Sequence, residues 1–286
     1  MADGPFPQKP PSAAEIFSTW NSRDSAASER VAVEQLEQVS WASPLLANLN
    51  DSRRSGDRGQ ERAYLWEARV ALSIHRLGLQ AQYEFKAGEG DQSIDFRVMS
   101  RPELLIEAVA VQNSAASERA GRVEEPIPDT TVFGIGLTSR NRDQRQTTAG
   151  EMVHLVELLT GKASKFPVPK PGVYHLLAAD IRGYNAGFVD LDDCDQIAWG
   201  PTATRDQARQ FFGTNPVHGV FDAANAHPKA VRARQRLHAI GLFCRQRSGS
   251  EDVLSTRVSI YRANPLLITT MEGDLASLLE QGSAGK

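Results

Sequence analysis

Apolar residues recur at helical intervals over residues 60–77, where Tyr64, Leu65, Ala68, Ala71, Leu72 and Leu77 share one side and Gly78 follows as a C-cap. The period then shortens. Residues 80–85 read as a strand, 88–91 as its turn, and 93–98 and 103–111 as two further strands. Helix, strand, strand, strand predicts an α/β fold with a central mixed sheet flanked by helices. Upstream, Val31, Leu36 and Val39 predict a helix or two within residues 25–46, ended by Pro44 and packed outside the main core. Residues 50–59 are polar and glycine-bearing and read as a loop or linker. The chain therefore divides into an N-terminal helical extension and linker, 1–59, and an α/β domain with a C-terminal elaboration, 60–286.

Further along, residues 113–122 predict a helix, 131–137 a strand, and 141–159 a helix ending near Gly161. Residues 162–172 form a connection dense in Lys and Pro, and 173–179 are apolar enough for a buried strand. Asp190-Leu191-Asp192-Asp193-Cys194-Asp195 reads as an exposed acidic loop, residues 202–212 as a short helix and 219–221 as an extended segment. Residues 236–246 and 253–262 surround a turn-like 248–252 and predict a late hairpin, and a last helix runs through Leu275, Leu278 and Leu279.

Two acids interrupt the strand pattern. Asp95 stands between Ile94 and Phe96, and Glu107 between Ile106 and Ala108, so a hairpin would make them cross-strand neighbours. A carboxylate in an apolar strand is expensive to bury unpaired, and two together invite a divalent cation; Mg²⁺ prefers oxygen ligands. Glu67, on the preceding helix, is placed to supply a third carboxylate if that helix covers the sheet. Such a centre would activate water for attack on a phosphate.

Composition narrows the setting. At 286 residues the chain can form a sizeable core without staples. Cys194 and Cys244 lack metal-ligand spacing, and the opening Met-Ala-Asp-Gly-Pro lacks a signal-peptide pattern, which together predict free thiols and a cytoplasmic location. No apolar run approaches the roughly 18–20 residues of a membrane span. The net charge of −3 makes no global case for nucleic acid, but it hides any local basic face. Arg119, Arg140, Arg142 and Arg145 are candidate phosphate contacts, with solvated helix-surface charge as the plainer reading. Asn113, Ser114 and Ser117 read as a strand end and helix cap, and the pair Gly134 and Gly136 lacks the rest of a dinucleotide fingerprint. The six histidines form no zinc spacing and read as surface or core hydrogen-bonding groups.

The succession Tyr64-Leu65-Trp66-Glu67-Ala68-Arg69-Val70, Ser93-Ile94-Asp95-Phe96 and Ile106-Glu107-Ala108-Val109 resembles the PD-(D/E)xK nuclease superfamily, over residues 60–112. More weakly, Val173-Tyr174-His175-Leu176-Leu177 and Tyr261-Arg262-Ala263-Asn264-Pro265-Leu266 look like elements of uncharacterised bacterial proteins with such a core. The resemblance implies a restriction-endonuclease-like core and Mg²⁺- or Mn²⁺-dependent hydrolysis of DNA. Asp95 and Glu107 would be metal ligands and Glu67 their helper; the family also admits a homodimer or a protein partner. Two departures matter. Ile94 replaces the proline before the first acid, and Val109 stands where the family has its lysine. Gln112 and Lys86 are the candidate substitutes. Val109 equally suits a nuclease-like protein that binds nucleic acid or protein without cleaving, and a small-molecule-binding α/β protein is a third reading.

Overall fold

The computed structural model describes residues 29–87, 92–112, 148–181, 184, 189–201, 216–245 and 257–267. Helices α1 (Glu29–Leu36), α2 (Ser43–Ser55) and α3 (Arg58–Arg76) lead into strands β1 (Ala81–Phe85), β2 (Ile94–Val98) and β3 (Glu103–Ala110). Helix α4 (Thr148–Ala163), strand β4 (Val173–Asp180), helices α5 (Leu191–Trp199) and α6 (Pro228–Arg236), and strands β5 (Ala239–Arg245) and β6 (Arg257–Ala263) follow. The strands form one six-stranded sheet in sequence order. β3–β4 and β4–β5 are parallel, and the outer pairs are antiparallel. This is the mixed sheet with flanking helices that the periodicity predicts, and the late hairpin is β5–β6.

Helices cover both faces, so the central strands are buried almost throughout. Leu104, Ile106 and Ala108 of β3 face one core with α1–α3, while Leu105 and Val109 face a second with α4–α6. Glu107 shares the parity of Leu105 and Val109, which turns it towards α4. Trp66 ties α3 to the sheet by donating to the Ala178 carbonyl at 3.0 Å and lying 5.1 Å from Phe243. Gly78, at φ 70°, closes α3 as expected, and Leu79 donates back to the Ile74 carbonyl.

Several local readings change. Pro44 opens α2 rather than ending a helix, because a ring that lacks an N–H is tolerated in a first turn. Residues 50–59 are not a linker. They hold the end of α2, Gly56 at φ 73° as its cap, and Asp57, whose carboxylate caps α3 through the Gln60 N–H. Leu36, Val39, Ala42 and Leu45 belong to the same core as Phe96, so the N-terminal helices complete that core instead of lying outside it. The acidic segment 190–195 is a helix start: Asp190 and Asp193 form a reciprocal capping box, and Asp193 and Cys194 are buried. Residues 219–221 are no strand, though they bond to the end of α5 through Val220 and Phe221. The thiols of Cys194 and Cys244 are free and meet in the second core. The elements expected over 113–122, 131–137, 202–212 and 275–279 lie outside the described residues.

Candidate active site

The β2–β3 ladder pairs Val98 with Leu104, Arg97 with Leu105 and Phe96 with Ile106; the same register sets Asp95 opposite Glu107. There the backbone pairing gives way, and Ala108 N–H donates to Asp95 Oδ2 at 2.7 Å. The β1–β2 register likewise sets Glu84 opposite Asp95, and Glu84 is the described non-glycine residue with left-handed backbone, at φ 51°. Tyr83 and Phe96 pack in the first core, whereas the next pair, Phe85 and Ile94, joins the second. Strict alternation would keep all four on one face, so the left-handed residue marks where the strand turns over. Backbone strain of this kind gathers at functional sites.

Glu107 is fully buried and its charge is met from α4 and the turn that follows it. Lys162 Nζ donates to Oε1 at 3.1 Å and Lys165 Nζ to the same oxygen at 2.6 Å. The other oxygen, Oε2, is buried with no hydrogen-bond partner. Burial pulls the Lys162 pKa down, but the carboxylates of Glu107, Asp95 and Glu67 outweigh it and hold the group above its ordinary value. It stays an ammonium near neutrality. Burial, then Glu107 and Glu67, push Asp95 well above the usual carboxylate range.

Glu67 comes to the same centre from the other layer. It is buried on α3, accepts the Tyr83 hydroxyl at 2.7 Å, and feels both Lys162 and Glu107. Burial lifts its pKa to about 7 against the opposing pull of Tyr83 and Lys162. Asn48 of α2 bonds Tyr83 in turn. The structure thus brings three predicted acids together. It does not bring Gln112, which is exposed and lies against Gly59 at the start of α3, on the opposite parity of β3 from Glu107. Lys86 is exposed just beyond β1.

Sequence reasoning missed Lys162, Lys165 and Tyr83. The lysine signal was present as two lysines three residues apart at the end of the crossover between β3 and β4. A parallel crossover folds back over the strands it joins. Among the described residues no three His, Cys, Asp or Glu side chains form a ready cation cage. For Mg²⁺ the fit rests on the donor set: Asp95 beside Glu107, whose Oε2 is buried without a partner.

Four of the histidines bond within the fold. His175 N–H donates to His238 Nδ1, His175 Nδ1 bonds the Arg236 carbonyl, His218 Nδ1 bonds Asp222, and His227 caps α6. Arg119, Arg140, Arg142, Arg145, Asn113, Ser114, Ser117, Gly134 and Gly136 lie outside the described residues. No family model, curated protein or solved structure matches the chain. No described helix is long and apolar enough to cross a membrane.

Proposed function

We propose that the protein is a metal-dependent phosphodiesterase acting on DNA in the cytoplasm, a PD-(D/E)xK-like nuclease whose lysine comes from α4 instead of position 109. The observation that carries this reading is the convergence of Lys162 and Lys165 on Glu107, opposite Asp95. Asp95 and Glu107 would hold Mg²⁺ or Mn²⁺. When bound, the cation activates water and offsets charge on the scissile phosphate.

The chain's own groups divide the remaining work. Lys162, kept as an ammonium, can donate but not accept a proton, so it polarises the phosphate oxygens and stabilises the negative charge that grows as water adds to phosphorus. Glu67, fixed by Tyr83, orients the attacking water and takes its proton. The P–O bond to the leaving sugar breaks, and the leaving oxygen is protonated from solvent. Lys165 holds Glu107 in place.

Val109 favoured a silent nuclease-like relative. With two ammonium groups on Glu107, the missing strand lysine no longer argues for that reading. The test is Mg²⁺- or Mn²⁺-dependent cleavage of single- and double-stranded DNA and RNA, with Asp95→Ala/Glu107→Ala prepared in parallel. Cleavage by the parent alone supports the proposal. Equal inactivity of two folded proteins across the panel, with and without either cation, counts against it.

A further inference from the structure

α6 carries Lys229, Arg232, Arg234 and Arg236 and no acidic residue, within a chain whose net charge is −3. Lys229, Arg232 and Arg236 stand at i, i+3 and i+7 and form one stripe. Arg234 turns the other way, bonding the Asp222 and Asn225 carbonyls. Lys229 and Arg232 are exposed and carry no ion pair among the described residues. Lys229 sits in a first turn without acids, where the helix dipole disfavours a cation. Nothing among the described residues offsets that local cost.

The stripe lies beside the candidate site at both ends. Lys229 Nζ lies 4.0 Å from where a Cβ would stand on Gly161, the residue before Lys162. Arg236 Nη1 donates to the Phe166 carbonyl at 2.7 Å, the residue after Lys165. Lys162 and Lys165 remain about a third exposed beside it, at 34% and 28%. Three residues of helix separate Lys229 and Arg232, a rise of about 4.5 Å, close to one step of duplex rise at roughly 3.4 Å per phosphate on a strand.

Building on the hydrolase reading above, we propose that the exposed face of α6 is a track for the phosphate backbone of duplex DNA, delivering it to the α4 side of the Asp95–Glu107 pair. Lys229 and Arg232 make the contacts, and Arg236 anchors the track to the turn after α4. Such contacts add affinity without sequence preference.

The experiment measures binding of the full-length chain to a fluorescent 30-bp duplex in EDTA over a KCl series, so that no cleavage is required. Lys229→Gln/Arg232→Gln should lower the slope of log K against log[KCl] by about 2, near 0.9 per phosphate contact. Arg54→Gln, an exposed charge on α2, should leave the slope unchanged. The double variant should melt with the parent, since neither side chain has a partner to lose among the described residues. An unchanged slope, or a parent that shows no salt-dependent binding, overturns the track. Metal-dependent cleavage, assayed separately, judges the hydrolase. A protein that cleaves with an unchanged slope loses only the track, and one that binds through α6 but never cleaves loses only the chemistry.

Discussion

Tyr83 shows how much of the site hangs on one hydroxyl. It donates to Glu67 Oε2 from the first core. Tyr83→Phe should keep the fold and lower kcat about 10–100-fold, the range for groups that orient a working residue. In a Glu67→Gln background the same change should have no further effect, which a double-mutant cycle on kcat would read. The histidine pair makes a different residue-scale prediction. Burial lowers His175 to about 4 and His238 to about 3. Between those values and the unfolded 6.5, the unfolded chain binds protons the fold does not. Their contribution is therefore complete above pH 6.5 and shrinks as pH falls towards 4. Glu67 and Asp95, both raised, act with the opposite sign, favouring the fold at low pH and losing that contribution as pH rises. The observable is thus a difference: His238→Asn, able to accept the same N–H, should flatten the fall in melting temperature between pH 6.5 and 4.5 relative to the parent.

Among the elements, α4 is docked partly by charge. Removing both lysines leaves a carboxylate buried without compensation, so Lys162→Met/Lys165→Met should cost about 3 kcal/mol in urea unfolding, the low end for broken buried pairs because the lysines reach solvent. Adding Glu107→Gln should recover much of that loss. A double variant as stable as the parent would mean that apolar packing of α4, through Leu155, Val156 and Leu159, carries the docking alone. Strand periodicity puts Glu107 on one face of β3 with Leu105 and Val109, the face a helix covers. It did not indicate which helix, since that depends on the path of the crossover between β3 and β4. The segment 190–195 failed for a related reason: an acid-rich run reads as solvent-exposed unless the capping geometry of Asp190 and Asp193 is recognised.

For the whole molecule, the segment around residue 59 is the instructive case. Gly56 and Asp57 read as a loop but cap two helices, and the helices before them bury Leu36, Leu45 and Leu49 completely. A chain beginning at residue 58 should lose the cooperative unfolding of the parent, because it removes Leu36, Leu45 and Trp41 and so exposes the first core around Phe96. Circular dichroism melts of both would decide this; a cooperative melt of the truncated chain would restore the boundary.

By itself the sequence determined the α/β class, the three strands after α3, the pairing of Asp95 with Glu107 and the place of Gly78, since each follows from local period, turn chemistry or an acid misplaced in an apolar run. Tertiary structure decided the partners of those acids. Lys162 and Lys165 lie 55 and 58 residues from Glu107 along the chain, and Tyr83 reaches Glu67 across 16. Periodicity says which way a side chain points within its own element. Only the packing of layers says what it meets there.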